Sequence, residues 1–256
     1  MGKRILVTRP YNQSANLCSF IEQRGWQAIK FPVIEIQRKA LSEKDSLHLQ
    51  HIEQYKYVFF ISVNAVNFAY EILNHDFERL KQVKCIAVGL ATYNQLIDYG
   101  VTNILLPDLE FNSEGILAIP ELQDLSGQSC LIIRGAGGRE LLASTLQARG
   151  ASVDYMEVYI RERVSYTSEA VNLTLDAGNL DAIVIYSAEA LQNLMQIAAE
   201  VKKKNSLLLI PLVVISRRVY AVAKDIGFTK IIIANETTDA AMINALNNGE
   251  NCGGSN

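Results

Sequence analysis

Phe59-Phe60-Ile61-Ser62-Val63-Asn64-Ala65-Val66-Asn67-Phe68 and Val184-Ile185-Tyr186-Ser187-Ala188-Glu189-Ala190-Leu191-Gln192-Asn193 are two versions of one phrase. In each, a short apolar run stops at a serine, and a stretch of helical period begins directly after it. The pattern predicts a buried strand, an N-cap and a helix, written twice. Ser62 and Ser187 stand 125 residues apart, and the same interval separates Arg9 from Arg134, Gly25 from Gly150 and Ser113 from Thr238. RILVTRP (4–10) aligns with CLIIRGAGGREL (130–141). IAVGLATYNQLIDYGVTNILL (86–106) aligns at 127 with VVISRRVYAVAKDIGFTKIII (213–233). The chain is an internal duplication, which predicts two similar modules.

Short β-rich runs alternate with amphipathic stretches along the whole chain, the mark of parallel strands joined by helices and hence of an α/β fold. Strands are predicted over 4–8, 27–31, 57–61, 85–88, 103–106, 129–133, 152–159, 182–186, 212–215 and 230–233. Gly25, Gly100, Gly150 and Gly227 each close an amphipathic stretch just before a strand, where a left-handed cap favours glycine. The last ten residues, NNGENCGGSN (247–256), lack apolar periodicity and are predicted to be disordered.

With 24 Lys+Arg against 27 Asp+Glu in 256 residues, there is no positive field to recruit nucleic acid or an anionic membrane. Any anionic ligand must be held by local groups. The longest apolar stretch, Leu207 to Ile215, is broken by Pro211 and falls far short of the roughly 20 residues of a membrane span. MGKRILVTRP has no signal-peptide core, so a cytoplasmic location is expected. Cys18, Cys85, Cys130 and Cys252 form no CxxC pair and read as structural. His48 and His51 read as a solvated helix face, without the partners of a metal site.

Open α/β sheets bind ligands outside the carboxyl ends of their strands. Thr8-Arg9, Ser62-Asn64, Gly89-Thr92 and their duplicates are therefore expected to face a shared cleft. Ser62, Ser187, Ser113, Thr237 and Thr238 precede helical stretches; each is explained as an N-cap. Their repetition also suits a ligand with several carboxylates. Arg134-Gly-Ala-Gly-Gly-Arg139 follows a strand and opens a helix, a turn that either holds an anion or simply turns the chain. It lacks the dinucleotide fingerprint, and there is no Ser/His/Asp set or cofactor motif. Proximity and orientation must then carry any catalysis.

The stretches TRP (8–10), KFPVIEI (30–36), YVFFISVNAV (57–66), IAVGLAT (86–92), RGAGGREL (134–141), MEVYIRE (156–162), IVIYSAEAL (183–191) and ETTDAAMINAL (236–246), in this order and spacing, resemble the uroporphyrinogen-III synthase family. The resemblance runs from residue 3 to about 246. It implies two similar parallel-sheet α/β domains with chain swapping, joined by a two-stranded linker with a cleft between them. Residues 1–34 with 165–246 would form one domain and 39–157 the other, with 35–38 and 158–164 as linker strands.

The activity so implied is a hydro-lyase reaction of tetrapyrrole (haem) biosynthesis without a cofactor. Linear hydroxymethylbilane closes to uroporphyrinogen III with loss of water and inversion of ring D through a spiro intermediate. The implied partners are that polycarboxylate substrate and hydroxymethylbilane synthase as its donor; the chain is expected to act as a monomer. Tyr159 matches the tyrosine that helps the hydroxyl leave. Ser62, Thr92, Ser187 and Thr238 match positions that bind acetate and propionate arms, with Thr8, Arg9 and Arg134 as further candidates. Ser216-Arg217-Arg218-Val219 departs from the glycine turn kept at Gly89–Thr92, so Arg217 or Arg218 is expected to contact a carboxylate directly. The competing reading is a non-catalytic two-lobed binding module resembling periplasmic binding proteins.

Overall fold

A computed structural model describes residues 2–138 and 140–251, with the side chains of 2–138, 140–176 and 178–246. In chain order the elements are β1 (Arg4–Val7), α1 (Ala15–Glu22), β2 (Gln27–Lys30), β3 (Ile34–Arg38), α2 (Glu43–Gln50), β4 (Tyr57–Phe60), α3 (Val63–Ile72), β5 (Lys84–Ala87), α4 (Leu90–Asp98), β6 (Ile104–Leu105) and α5 (Ser113–Ala118). There follow β7 (Ser129–Gly135), α6 (Leu141–Ala148), β8 (Ser152–Arg163), α7 (Ser168–Thr174), β9 (Ala182–Ile185), α8 (Ala188–Glu200), α9 (Lys204–Leu207), β10 (Leu212–Val214), α10 (Arg217–Ile226), β11 (Ile231–Ile233) and α11 (Asp239–Asn251).

The chain divides into two compact units. One comprises the residues up to Glu35 together with those from Glu162 onward; the other runs from Ile36 to Arg161. The first holds a sheet of order β11-β10-β9-β1-β2, the second a sheet of order β6-β5-β4-β7-β8-β3. All the pairings with assigned register are parallel. In repeat coordinates the two sheets have one topology, with β9, β10 and β11 taking the places of β4, β5 and β6. The first two strands of each repeat complete the sheet of the other, since β1 pairs with β9 and carries β2 on its far side, while β7 pairs with β4 and carries β8. Five strands of each sheet therefore follow the 2-1-3-4-5 order of doubly wound folds, with the switch point between β1 and β9 or between β7 and β4, and β3 is an added edge strand beside β8 in the second sheet.

Both sheets read as apolar runs because each is buried on two faces. Val58, Phe60, Leu131 and Ile133 pack on the α3–α4 side of the second sheet. Phe59, Ile86, Cys130 and Ile132 pack against Ile116, Leu142 and Leu146 on the α5–α6 side. In the first unit Ile5, Val7 and Val184 meet Leu17 and Ile21 of α1 and Met242 and Ile243 of α11. Each such fully buried side chain contributes about 1.5–3 kcal/mol.

The four predicted cap glycines all have positive φ. Each closes its helix with the same bond pair, illustrated by Gly25 N–H to the Glu22 carbonyl at 2.9 Å and Trp26 N–H to the Ile21 carbonyl at 3.3 Å. A side chain at these left-handed positions would be strained, which is why glycine recurs at 25 and 150 in both repeats.

Several expectations are corrected. β8 does not stop at Tyr159 but continues to Arg163, and β7 runs on to Gly135. The glycine turn leads from β7 into α6 as expected, with Glu140 at the N-cap position and Leu141 as the first helical residue. Ser113 is the first residue of α5, and Asn112 caps it by accepting from Gly115 N–H at 2.8 Å. His48 is not a solvated residue: its side chain is 11% exposed, its Nδ1 lies 2.6 Å from the Tyr55 hydroxyl, and Asp154 sits beside it. α11 extends to Asn251, into the segment expected to be disordered. Arg139, Cys252 and the remainder of the tail lie outside the described residues. Cys18, Cys85 and Cys130 are buried and free, and burial pushes the thiols of Cys85 and Cys130 up to about 12.

Candidate functional site

Thr8, Arg9 and Ser187 stand at the carboxyl ends of β1 and β9, and Ser62 and Arg134 at those of β4 and β7, the strands that flank each switch point; Thr92, Arg217 and Thr238 lie at the starts of α4, α10 and α11, after β5, β10 and β11, and Tyr159 lies within β8. In the second unit the register between β7 and β8 slips after Arg134. Arg134 faces Glu157, whereas Gly135 faces Tyr159. Val158 is therefore an extra residue, and the strand carries a β-bulge. In a regular strand Tyr159 would share a face with Tyr155, because side chains alternate. The bulge places it instead with Val158 in the core of the α3–α4 side.

There the Tyr159 ring stacks on Phe68, with centroids 5.7 Å apart, and its hydroxyl lies 3.2 Å from Ser62 Oγ. Ser62 Oγ also accepts from Ala65 N–H at 3.0 Å, capping α3. Tyr159 lies over Gly135 because that residue has no side chain; a Cβ there would meet ring carbons at 2.5 and 2.6 Å. Only 4% of Tyr159 is exposed, so this phenol is not a solvent-facing group. Thr92 is buried in the first turn of α4, a helix whose N-cap, Gly89, offers no side-chain cap. The hydrogen bonds of that first turn are left to be met from outside the helix.

Arg134 is 9% exposed at its side chain. Its guanidinium lies 3.8 Å over the Tyr155 ring, with Glu140 at 3.1 Å and Glu157 at 3.5 Å. Glu157 also binds Lys39 Nζ at 2.5 Å and the Gly137 N–H at 3.1 Å. Burial alone would raise the Glu157 carboxyl, but Lys39, the Gly137 N–H and Arg134 together hold it below the usual range. The Tyr155 hydroxyl and then Arg134 lower the Glu140 carboxyl in the same way.

In the first unit Thr8 is buried, and its Oγ1 donates to the Val184 carbonyl at 2.8 Å, fastening β1 to β9. Arg9, the repeat partner of Arg134, has the same kind of surroundings. Its guanidinium lies 4.4 Å over Tyr186 and 2.8 Å from Asp239, which also accepts from the Tyr186 hydroxyl. Burial, followed by Asp239, pushes the Tyr186 phenol strongly up. Ser187 caps α8 through Ala190 N–H at 3.0 Å, and Thr238 caps α11 through Ala241 N–H at 3.1 Å. Arg217 and Arg218 are exposed on the first turn of α10, where Ser216 is the cap.

The sequence signals missed Gly135, Glu140, Tyr155 and Asp239. An arginine at the same repeat position was visible, but the tyrosine beneath it comes from a different strand in each unit. Among the described residues no group of three or more His, Cys, Asp or Glu is placed to hold a metal ion.

Each unit is a doubly wound α/β sheet with hydroxyls, helix N-termini and a carboxylate-paired arginine at its strand ends, where folds of this class hold their ligands. Comparison with known proteins makes the class specific. The profile of the family described as Uroporphyrinogen-III synthase HemD matches residues 16–244, and the chain belongs to this family. It is 32% identical over 243 residues to the uroporphyrinogen-III synthase of Escherichia coli K12, covering 94% of this chain and 99% of that one. A homologue of the same name in Chlorobaculum parvum is 26% identical over 199 residues, 76% of this chain and 78% of that one.

In fold, the chain is similar to a mutant uroporphyrinogen III synthase of Thermus thermophilus, with a TM-score of 0.64 at 15% identity, covering 98% of this chain and 100% of that one. The uroporphyrinogen-III synthetase of Helicobacter pylori 26695 gives 0.62 at 14% identity, over 95% and 97%.

Proposed function

We propose that this chain is a uroporphyrinogen-III synthase, a hydro-lyase of tetrapyrrole biosynthesis that closes hydroxymethylbilane to uroporphyrinogen III. The terminal hydroxyl leaves as water, and the resulting azafulvene is attacked by the substituted carbon of ring D. Rearrangement through a spiro intermediate then closes the inverted ring, and the proton lost from the pyrrole carbon balances the one given to the leaving oxygen. No cofactor is needed. Tyr159 is the proton donor, its phenol O–H being the group that can give a hydrogen bond or a proton to the leaving hydroxyl. Its burial limits the meeting place to the half-buried edge it shares with Ser62. Ser62, Thr92, Ser187 and Thr238 bind carboxylate arms with the N–H groups beside them, and Thr8 supports the strand end that presents Arg9. Arg9, Arg134 and Arg217 supply positive charge.

What supports this reading most is the meeting of Ser62 and Tyr159 at 3.2 Å beside a switch point, in a chain that belongs to this family. Product choice rests on orientation, because each tenfold of selectivity needs only about 1.4 kcal/mol between competing closures. We place the reaction in the cytoplasm, in a single chain supplied by hydroxymethylbilane synthase, with the two compact units as its domains. Among the described residues no helix is long and apolar enough to cross a membrane.

The test is consumption of hydroxymethylbilane by the purified protein with nothing else added. Disappearance well above the spontaneous rate is expected. Decay at the spontaneous rate would leave only a binding protein.

A further inference from the structure

The α5–α6 side of the second sheet carries a cavity of about 260 Å³ at the carboxyl ends of β4, β5 and β7. It lies across the sheet from Tyr159 and Ser62, because its walls Ile61, Val88, Ile132 and Leu142 belong to the opposite core. Its polar lining is Arg134, stacked on Tyr155, together with Asn112 and Ser113 at the start of α5.

Among the described residues the charges around this lining balance two against two. Lys39 and Arg134 are positive; Glu157 and Glu140 are negative. The two carboxylates are held differently. Glu157 is fixed by Lys39, by the Gly137 N–H and by Arg134. Glu140 is 65% exposed at its side chain, stands at the N-cap position of α6 without capping it, and reaches inward only to Arg134 and Tyr155. It follows Gly137 and Gly138, both at positive φ. If Glu140 swings into solvent, the lining keeps one uncompensated positive charge and a free phenol donor. The Arg134 Nε, buried without a partner, adds an unused N–H to the same guanidinium. A buried arginine in this state attracts a carboxylate strongly, while an exposed ion pair is cheap to give up.

We propose that this cavity is a subsite for one carboxylate arm of the substrate, and that Glu140 is its internal place-holder, displaced when that arm binds Arg134 and Tyr155. The apolar walls take the methylenes and the edge of the pyrrole that carries them. This assignment rests on the proposed function for the identity of the arm.

The probe is uroporphyrin III, a stable octacarboxylate, titrated by fluorescence against the folded wild-type chain and Glu140→Gln. Removing the place-holder is expected to tighten binding about fivefold, the size of a modest charge-assisted contact. Glu140→Ala should do the same, and adding Arg134→Gln to Glu140→Gln should abolish the gain. A place-holder lost from a merely structural pair would leave binding unchanged or weaker, and that result in both Glu140 variants would overturn the proposal. Glutarate, which has carboxylates but no ring, should compete only at far higher concentration; competition at equal concentration would make this a site for free small acids and also overturn it. Porphyrin binding that tightens in Glu140→Gln without any isomer III formed by the wild type would refute the activity and leave the subsite. Isomer III with no gain in the Glu140 variants would do the reverse.

Discussion

Gly135 and Tyr159 face each other across a β-bulge, the ring of one filling the space where the other has no side chain. Gly135→Ala puts a Cβ within 2.6 Å of that ring, so either the strand or the tyrosine must move. A loss of about 1–3 kcal/mol is expected in urea unfolding, as for an overpacked core. Turnover should fall with it, because the Ser62 contact is lost. Tyr159→Phe is the companion variant. It keeps the ring and its packing on Phe68, so stability should change by less than about 1 kcal/mol while turnover drops about 100-fold, the contribution of a positioned acid. Wild-type turnover in Tyr159→Phe would remove the phenol from the chemistry.

The caps separate structural from functional hydroxyls. Ser62→Ala and Ser187→Ala each lose an N-cap bond and should each cost about 1 kcal/mol in thermal or urea unfolding. Because Ser62 alone of the two touches Tyr159, its variant should also lower kcat, whereas Ser187→Ala should act mainly on KM.

Acid should unfold the second unit through its held carboxylates. Glu157 and Asp154 both sit below their usual values: burial opposes the shift, and hydrogen bonds from Lys39 and the Gly137 N–H, or from Lys44 and Tyr55, outweigh it. A carboxyl lowered by folding adds stability that is complete above its unfolded value and is lost as pH falls through the folded one. The urea midpoint should be level above about pH 5.5 and decline below about pH 4.5. Glu157→Gln should lower the plateau and flatten the decline; an unchanged acid limb in that variant would count against the cluster.

Arg217 and Arg218 occupy the first turn of α10, where the first repeat has Leu90 and Ala91 after Gly89. Changing both to Ala should raise KM for the polycarboxylate severalfold and weaken its salt dependence, with unfolding unaffected since both are exposed. An unaltered KM would show that backbone N–H groups suffice there.

The repeat made the architecture legible. Apolar runs ending in Ser62 and Ser187 located the strands because parallel strands buried on both faces leave a continuous apolar signal. Gly25 and Gly150 marked the helix ends because their left-handed φ is written into residue type. The bulge was not legible: one extra residue at Val158 changes the face of Tyr159 without any change in composition. Nor were the carboxylate partners, since Asp239 and Glu140 lie 230 and 6 residues from the arginines they hold. Ser113 misled because the interval is not constant: it is already 127 over 86–106, and the cap that answers Thr238 is Asn112, 126 residues before it.

On the proposed function, geometry at these strand ends chooses the carbon of ring D that closes the macrocycle. A single turnover of hydroxymethylbilane with the protein in excess, followed by identification of the oxidised porphyrin isomer, tests this most directly. The type III isomer is the expected product. Formation of the uninverted type I isomer alone, as in spontaneous closure, would contradict it.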